Sequence, residues 1–528
     1  MPPSLAASAA VEQTSHGTRA PLPALESFDG IGYDLDAPGT NGAPLPRNPS
    51  DNSLAVGPDH VFQIVNSRLA VFTKRGKRFD TTGRLLYGPI ATNTLFQSFG
   101  DVCGSRTNGD AVVRYDQLAG RWLVVMPIFR RAVPPLRTGE PVGAVAKPGD
   151  AARPGQASDP GPPMRPAPPA AVPAPSGSAP TPAPAGEPRA TYAMCYAVSV
   201  TGDPLGEYSR YVFERALFPD YPRPAVWPDG YYIATSTGDD VIQKHTCIVD
   251  RTRMLDGRPA TEQCLVIDGV NFLNNADLDG LELPPPGAPN IMMATGGTQL
   301  EYDIEDDGIY VWNVHVDWQR PSNTRVTDPR KIAVAPYRYL CGGQLTSCVP
   351  QPGTERRLDA QGDKIMARLV YRNVGGRESL VAVHSVDTAA GGGGVRWYEF
   401  RVDETRAVSL FQQGTFAPDG AYRWMASPAI DKRGNIGIGY SFGGGDRFAG
   451  QRFAARLADD PPGLLTFRES VLAEGEAAQT NTLRWEDYSQ TAVDPTDDCT
   501  IWYVGDYFKK DAPTYSTRIG AFRVPGCN

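Results

Sequence analysis

Long apolar segments are missing from this sequence of 528 residues. No run approaches the roughly 18–20 consecutive apolar residues that a helix needs to cross a bilayer, so we expect no membrane span. An excess of basic residues is missing too, because the formal net charge is −8. Proteins that bind nucleic acid by neutralising phosphates need a basic surface, so we expect no nucleic-acid partner.

Histidine is scarce, with five residues in the whole chain. No two histidines have the His-Glu-x-x-His or His-x-His spacing, and the cysteines form no Cys-x-x-Cys pair. Zinc sites need such closely spaced nitrogen and sulfur ligands, so a zinc hydrolase is excluded as a working hypothesis.

Glycine and proline, by contrast, are abundant, with 55 and 50 residues. This composition suits a fold of short strands joined by many turns. The clearest unit is 484–503, in which an acid precedes a short apolar strand, a polar turn and a strand rich in aromatic residues. Short apolar runs bounded by turn residues are typical of antiparallel strands.

Weaker copies of this unit recur along the chain at intervals of about 60 residues. Asp51 and Asp110 are 59 positions apart, and Asp363 and Asp487 are 124 apart, which is two units of 62. We therefore predict an all-β fold, a single β-propeller with seven blades, with six or eight blades as the alternatives. Aromatic residues of the second strands, such as Trp122 and Tyr440, would fill the space between blades.

The domain prediction has three parts. Residues 1–27 are small and polar and are expected to form a flexible lead-in, and the propeller is predicted to span 28–528. Residues 136–190 consist mainly of proline, alanine and glycine, so we expect a disordered loop inserted in the second blade.

Eight dispersed cysteines in a β-rich chain indicate disulfides and an oxidising compartment, with reduced core thiols as the alternative. Their places in the repeats lead us to expect four of the roughly 105 possible pairings. The expected pairs are Cys103–Cys195, Cys247–Cys264, Cys341–Cys348 and Cys499–Cys527. Ala7-Ser8-Ala9 is similar to the end of a signal peptide, so we predict a secreted or periplasmic bacterial protein.

An acid stands just before the first strand of five repeats. These acids are Asp51, Asp110, Asp220, Asp363 and Asp487. In a propeller the strand starts converge on one mouth of the central channel, where carboxylates could bind calcium, the candidate cofactor, or act as general acid and base. The alternative is that each acid caps its own turn.

Arginines and tyrosines accompany these acids. The candidate ligand-binding residues are Arg368, Arg423 and Arg484. Each lies near the start of the first strand in one of the last three repeats. Tyr221 and Tyr488 directly follow acids, and a sialidase-like site uses arginines with a tyrosine–carboxylate pair. The repeated Ser-x-Asp-x-Gly-x-Thr-Trp pattern of that fold is missing, and surface salt bridges are the alternative role of the arginines.

Several of these segments are similar to a known family. The segments are 55–60, 218–222, 422–425 and 487–489. They resemble a family of secreted bacterial β-propeller-like proteins, for which no activity is established. The resemblance implies secretion, disulfides and the propeller, and at one position, Glu486, the family pattern has glycine.

Two functions remain open at this point. The first is an extracellular binding module that takes a glycan, protein or cell-surface partner at the channel mouth, with a structural envelope protein as its variant without a ligand site. The second is a glycoside hydrolase or polysaccharide lyase. Its candidate catalytic residues are Asp110, Asp220, Tyr221, Arg423, Asp487 and Tyr488. Base rates favour the first, since propellers host many functions, and we expect a monomer.

Overall fold

The structure is a computed structural model that describes residues 9–33, 35, 48–97, 102–107, 109–132, 191–215, 218–236, 243–268, 270, 272–296, 307–343 and 347–528. The predicted insertion at 136–190 lies outside these residues. The described chain is all-β, as predicted, and its α-helices are the short α1 (Val102–Ser105) and α2 (Arg251–Leu255). Among the described helices, none has the length and apolarity that crossing a membrane requires.

Two short strands, β1 (Glu12–Gln13) and β2 (Glu26–Asp29), precede the repeats. The next strands form three antiparallel sheets, each taken from one continuous part of the chain. Sheet 1 contains β3 (Ser53–Val56), β4 (His60–Val65), β5 (Arg68–Thr73) and β6 (Leu85–Ala91). Sheet 2 contains β7 (Val112–Asp116), β8 (Arg121–Ala132), β9 (Thr191–Ser199) and β10 (Tyr208–Arg215). Sheet 3 contains β11 (Asp220–Trp227), β12 (Gly230–Ser236), β13 (Gln243–Val249) and β14 (Glu262–Asp268).

The second half of the chain repeats this order. Sheet 4 contains β15 (Asn274–Asp279), β16 (Asn290–Gly296), β17 (Gly308–His315), β18 (Arg325–Val326) and β19 (Arg330–Ile332). A separate hairpin follows, with β20 (Ser347–Gln351) and β21 (Thr354–Asp359). Sheet 5 contains β22 (Leu369–Val374), β23 (Arg377–Asp387), β24 (Gly393–Val402) and β25 (Val408–Phe416). Sheet 6 contains β26 (Tyr422–Ile430), β27 (Ile436–Gly444), β28 (Arg447–Arg456) and β29 (Ser470–Ala473). Sheet 7 contains β30 (Gln490–Val493), β31 (Thr500–Tyr507) and β32 (Ser516–Arg523), with β2 at its edge.

The first strands of successive sheets lie next to one another. Contacts run from β3 to β7, β11, β15, β22, β26 and β30, and β30 contacts β3. Between sheets 4 and 5 the contact is a parallel ladder, in which Ala276 of β15 pairs with Leu369 of β22. The starts of the first strands are thereby brought together from distant parts of the chain.

The N-terminal segment differs from the predicted flexible lead-in at 1–27. Glu26 pairs with Ala521 on the edge of sheet 7, and Glu12 pairs in parallel with Thr415 on the edge of sheet 5. The physical reason is that β32 and β25 would otherwise end their sheets with unpaired backbone N–H and C=O groups. An edge strand needs little side-chain pattern of its own, so the sequence did not reveal these two.

Apolar cores fill the space between neighbouring sheets. Trp122 of sheet 2 lies 5.7 Å, centroid to centroid, from Phe62 of sheet 1, which confirms the predicted inter-sheet role of Trp122. Strand β27 is buried along its whole length. On one face of β27, Tyr440 packs on Phe416 of sheet 5. On the other, Gly439 lies so close to sheet 7 that a Cβ there would be 2.3 Å from the ring of Tyr503.

Four disulfides join the eight cysteines, and all four predicted pairs are confirmed. They are Cys103–Cys195, Cys247–Cys264, Cys341–Cys348 and Cys499–Cys527. The separations along the sequence range from 7 to 92 residues. Disulfides of this number indicate an extracellular or otherwise oxidising compartment.

Candidate functional site

Three of the five predicted acids meet at the starts of β3, β7 and β11, and we call Asp51, Asp110 and Asp220 the acid chain. Asp51 and Asp110 each stand two residues before their strand in the left-handed region, with φ of 49° and 52°. This turn directs both side chains to the same end of the first strands. Asp220 begins β11, and the next backbone N–H, that of Tyr221, donates to Asp110 Oδ2 at 3.3 Å.

The carboxyl groups of the acid chain contact one another. Asp51 forms a side-chain hydrogen bond with Asp110, and Asp110 forms another with Asp220. Burial raises the pKa of Asp51 and of Asp110 well above the ordinary value. The charge of Asp487 raises the pKa of Asp51 further, whereas its hydrogen bond with Asp110 lowers it, and the charges of Asp51 and Asp220 raise the pKa of Asp110 further. Two ionised carboxylates cannot donate to each other, so this chain holds at least one proton near neutral pH.

Two buried oxygen atoms at the acid chain have no hydrogen-bond partner among the described residues outside the acid chain itself. Asp51 is fully buried, and its Oδ2 accepts from Asn66 Nδ2, whereas the one donor available to its Oδ1 is a proton shared with Asp110. The Tyr488 hydroxyl is also buried without a partner, close enough to Asp51 and Asp110 for their charges to act on it. Burial, then these two acids, raise the pKa of Tyr488, so its hydroxyl stays protonated.

Asp487, the fourth predicted acid, is held by an arginine and an amide. Arg484 Nε lies 3.1 Å from Asp487 Oδ1 and 3.1 Å from Asp359 Oδ2. Gln361 Nε2 donates to Asp487 Oδ1 at 2.5 Å. Two of the predicted residues, Arg484 and Asp487, therefore pair with each other beside the acid chain, and burial raises the pKa of their neighbour Asp359 to about 7.

Three cations lie across from these acids, and we call Arg223, Lys244 and Lys364 the cation group. All three approach the ring of Phe272: the distances to its centroid are 3.9 Å for Lys364 Nζ, 5.2 Å for Lys244 Nζ and 5.2 Å for Arg223 Cζ. Tyr221 lies under Arg223 at 4.7 Å. All three cationic side chains are buried, whereas Phe272, Asp110 and Asp220 are partly exposed.

The members of the cation group differ in their partners. Lys364 Nζ lies 3.1 Å from Asp363, the fifth predicted acid, and donates to Gln361 Oε1 at 2.5 Å. Arg223 Nε donates to the carbonyl of Leu273 at 2.7 Å, but its Nη1 and Nη2 have no hydrogen-bond partner. Burial, followed by the charge of Arg223, lowers the pKa of Lys244 to about 7.

Tyr221 joins the two sides of the site. Its hydroxyl donates to the backbone carbonyl of Asp487 at 2.9 Å, and its ring meets that of Tyr488 edge to face at 5.0 Å. The predicted tyrosine–carboxylate pair is therefore absent at Tyr221, whose hydroxyl is committed to a main-chain acceptor. Tyr488 is the tyrosine that faces carboxylates.

Arg368 lies away from the acid chain, further along the first strands. Its Nε lies 3.2 Å from Asp277 Oδ2, and the Arg114 Nε lies 3.3 Å from the same oxygen. Asp279 is a second partner of Arg368. The cavity beside these side chains measures about 20 Å³, which is room for about one water. The interior between the first strands is packed there, so a ligand would bind at the strand starts.

Arg423 is not part of this site. Its Nη1 lies 2.8 Å from Asp419 and its Nε lies 2.7 Å from Glu469, both in the region of sheet 6. The strand position of Arg423 suggested a place near the acids. Its side chain is buried against its own sheet instead, because two nearby acids and the ring of Phe442 surround it.

The acids do not form a compact set of metal ligands. In the described residues, one group of three His, Cys, Asp or Glu ligand atoms lies within 4.8 Å of one another, and it is Cys247, Glu262 and Cys264. Two of these are joined in a disulfide and cannot bind a metal as thiolates. Calcium takes six to eight oxygens, more than the paired contacts of the acid chain supply.

Sequence reasoning missed the cation group, Phe272 and Asn66. Arg223 is three residues beyond Asp220, and the same place after Asp51, Asp110 and Asp487 is taken by the uncharged residues Leu54, Val113 and Gln490. An arginine at that place was the available signal. Lys244 and Lys364 carry no such pattern, since β13 and the segment before β22 bring them in from elsewhere in the chain.

One catalytic motif does occur in the sequence, at Gly439-Tyr440-Ser441-Phe442-Gly443. It matches the Gly-x-Ser-x-Gly turn of serine hydrolases, which requires a sharp strand-to-helix turn. Here the five residues lie inside the straight strand β27, and the Ser441 hydroxyl donates to Glu486 Oε2 at 2.8 Å. Ser441 is therefore a structural residue.

An open groove of about 670 Å³ lies at the end of β17, beside Asp317, Trp318 and Arg325. None of the predicted site residues lines it. The indole N–H of Trp318 donates to the backbone carbonyl of Asp229 at 2.7 Å. The groove is thus separate from the site described above.

No protein-family model matches this sequence, and none of the curated proteins is detectably similar to it. Among solved structures, the chain is similar to the WD40 domain of SCAP from fission yeast, with 7% identity, a TM-score of 0.33 and coverage of 89% of this chain and 94% of that one. It is similar to the catalytic domain of the GH62 α-L-arabinofuranosidase of Coprinopsis cinerea, with 10% identity, a TM-score of 0.27 and coverage of 57% and 90%. An engineered GH43 glycoside hydrolase with endo-xylanase and exo-arabinofuranosidase activity gives 11% identity, a TM-score of 0.20 and coverage of 94% and 99%. Similarities at these TM-scores carry no conclusion about this chain.

Proposed function

We infer that the chain is a single, closed β-propeller of seven blades, one for each of the seven sheets. The contacts from β3 around to β30 and back to β3 support the ring. The pairing of β2 with β32 supports closure, because the N-terminal strand completes the last blade. In this arrangement the acid chain and the cation group stand at one mouth of the central channel.

We propose that this protein is a secreted binding module whose ligand is a hydroxyl-rich molecule, such as a glycan, bound at this mouth. The observation that carries the proposal is the buried pair Asp51 Oδ1 and Tyr488 Oη, for which the described residues outside the acid chain supply no hydrogen-bond partner. A buried polar atom without a partner is costly, unless a ligand supplies the missing hydrogen bond. The partly exposed Asp110 and Asp220 then form the entrance.

Hydroxyl groups of a saccharide fit this site chemically. Carboxylate oxygens accept hydrogen bonds, and the partly exposed ring of Phe272 offers apolar surface for the C–H face of a sugar. The four disulfides support an extracellular location, where glycans and cell surfaces are available as partners.

A glycan array followed by calorimetric titration tests this proposal. The substitution Asp110→Asn keeps the size of the side chain but removes its charge, and we expect affinity for the selected glycan to fall roughly tenfold or more. The matched control is Asp446→Asn, because Asp446 is exposed and pairs with Arg447 away from the mouth. Equal affinities of Asp110→Asn and the unaltered protein would sink the assignment of the mouth as the binding site.

Calcium is the alternative occupant of the acid chain. Neighbouring carboxyl groups of the acid chain are hydrogen-bonded to each other. We therefore propose that a proton shared between two carboxyl groups, and not a metal ion, lowers their repulsion. Elemental analysis of the purified protein distinguishes the two occupants. A stoichiometry near one calcium per chain would contradict the proton.

A glycoside hydrolase is the second candidate, and one observation favours it. Asp51 and Asp110 form a hydrogen-bonded carboxyl pair with raised pKa values, and such a pair can supply a general acid beside a general base. Hydrolysis of nitrophenyl glycosides is the assay, and both Asp110→Asn and Asp220→Asn should then lower kcat by at least 100-fold. Binding without turnover in the unaltered protein would decide for the binding module.

A further inference from the structure

The least satisfied side chain at the mouth is Arg223. It is 3% exposed, and its Nη1 and Nη2 have no hydrogen-bond partner in the part of the chain that the structure describes. Only Nε is used, in the bond to the carbonyl of Leu273. A guanidinium stays charged in proteins, so two charged N–H edges of this side chain are buried without acceptors.

The surroundings of Arg223 add positive charge. Lys244 and Lys364 share the face of Phe272 with Arg223, so three cations meet at one ring. Lys364 is matched by Asp363 at 3.1 Å. Burial, followed by the charge of Arg223, lowers the pKa of Lys244. The charge of Lys364 lowers it as well, whereas those of Asp363 and Asp220 act in the opposite direction.

A second buried arginine, Arg456, provides a comparison. Arg456 is 1% exposed, and its nitrogens donate to Gln412 Oε1 at 2.8 Å and to the carbonyl of Asp460 at 2.7 Å, among others. Arg223 has the same burial without such acceptors. The two nitrogens of Arg223 that lack acceptors, Nη1 and Nη2, belong to one planar guanidinium. A carboxylate, sulfate or phosphate group can accept from both of them at once in a bidentate pair.

We propose that the ligand bound at the mouth carries an oxyanion, a carboxylate, sulfate or phosphate group, that Arg223 holds through Nη1 and Nη2 with Lys244 beside it. The inference rests on the proposed function and names its ligand class as an acidic, hydroxyl-rich molecule. The acid chain accepts hydroxyl donors on one side of the mouth, and the cation group takes the anionic group on the other.

Binding of the anion should also move a proton. Lys244 has a pKa lowered to about 7, so most of it is neutral at pH 8. An anion next to it favours the charged form and raises this pKa. We therefore expect partial proton uptake on binding at pH 8, which Lys244→Met abolishes.

The experiment is calorimetric titration at constant ionic strength, with sodium glucuronate, sulfate and phosphate as acidic probes and glucose as the neutral one. In Arg223→Met we expect affinity for the acidic probe to fall roughly tenfold or more, with Arg223→Lys in between, because lysine keeps the charge without the fork. The three anions distinguish a carboxylate site from a sulfate or phosphate site. Two buffers of different ionisation enthalpy measure the proton uptake.

Arg456→Met is the matched control for burial. Its thermal transition should fall because the substitution removes several hydrogen bonds, and its affinity for the probes should not change. Arg223→Met without ligand should melt at the same temperature as the unaltered protein or higher, since it removes a buried charge that Asp220 and Asp363 offset through space but not through a hydrogen bond. A fall like that of Arg456→Met would show a structural role and overturn the inference.

The remaining outcomes separate the two proposals. If none of the three anions binds the unaltered protein, or if Arg223→Met binds them equally well, the oxyanion site is wrong. Loss of neutral-glycan binding in Asp110→Asn would then still support the proposed function. Conversely, anion binding that depends on Arg223, with no glycan of any kind bound, supports the oxyanion site and contradicts the glycan module.

Discussion

Two buried polar regions lie side by side in this protein and differ in how completely their hydrogen bonds are made. The first is the mouth, with the acid chain and the cation group. The second, which we call the Glu486 network, consists of Glu486, Ser441, Gln451, Asp506 and Asn52. Glu486 follows Trp485 and precedes Asp487, so neighbours in sequence belong to different regions.

The Glu486 network satisfies its carboxylate fully. Ser441 donates to Glu486 Oε2 at 2.8 Å, and Gln451 Nε2 donates to Oε1 at 2.9 Å. The backbone N–H of Asp506 donates to the same carboxylate, and Asn52 Nδ2 donates to Asp506 Oδ1 at 2.7 Å. These bonds join sheets 1, 6 and 7, which is a structural task.

At the mouth, several polar atoms lack hydrogen-bond partners among the described residues. Asp51 Oδ1, Tyr488 Oη and two nitrogens of Arg223 are without hydrogen-bond partners. The contrast teaches that burial of charge alone does not mark a site. One missing partner does not mark it either, because Asn52 Oδ1 of the Glu486 network also lacks a partner. At the mouth, several such atoms lie close together, which leaves interaction energy for a ligand.

The largest expected effect is a loss of stability when the Glu486 network is disrupted. Glu486→Ala removes the acceptor of three donors, and we expect it to lower the free energy of unfolding by about 3–5 kcal/mol. Urea denaturation measures this loss, with the exposed Glu404→Ala as the control that should stay within about 0.5 kcal/mol. A loss below about 1 kcal/mol would remove the structural role assigned to the network.

The opposite sign is expected at the mouth. Asp51→Asn removes a buried acid that lies beside Asp110 and Asp487, so the free energy of unfolding should rise by about 1–2 kcal/mol at pH 8. Chemical denaturation of both proteins in one buffer provides the measurement. A loss as large as that of Glu486→Ala would abolish the contrast between the two regions.

The dependence of stability on pH sharpens the same comparison. Burial, followed by the charge of Asp487, raises the pKa of Asp51 in the folded state, so its favourable contribution is complete below the unfolded pKa of about 4. That contribution is lost as the pH rises toward the folded pKa. The stability of the unaltered protein should fall relative to that of Asp51→Asn by up to about 1.4 kcal/mol per pH unit above pH 4. Parallel curves for the two proteins between pH 4 and 8 would contradict the raised pKa.

The smallest expected effect is that of calcium. Because the acid chain supplies oxygens in pairs, 1 mM calcium should shift the thermal transition by less than about 1 °C, as should the same concentration of magnesium. Differential scanning calorimetry after chelation checks this. A calcium-specific rise of several degrees would mean that the acids close around a metal ion.

Much of the architecture was predictable from local patterns. The runs around Val61 and Ile438 alternate with glycine and aspartate turns, and this spacing requires short antiparallel strands whatever surrounds them. The four cysteine pairs followed from their places in those repeats. The edge strands of the N-terminal segment were not predictable, since their partners, β25 and β32, lie several hundred residues away.

The site was predictable in part. Asp51, Asp110, Asp220 and Asp487 stand at equivalent places in the repeat, so repetition alone brings them to one end of the first strands. Arg423 stands at a similar place, yet it pairs with Asp419 and Glu469, because the choice among nearby acids depends on packing within sheet 6. The same holds for Arg368, which pairs with Asp277 from β15.

The sequence by itself determined the strands, the repeat and the positions of the acids, because each depends on residues within about 60 positions of one another. Only the tertiary structure decided which buried charges have partners. Arg223, Lys244 and Lys364 come from separate segments and meet at Phe272 once the first strands lie side by side. Long-range packing thus separates Glu486, whose two side-chain oxygens both accept hydrogen bonds, from Asp51 and Arg223, which have side-chain atoms without a partner in the described residues.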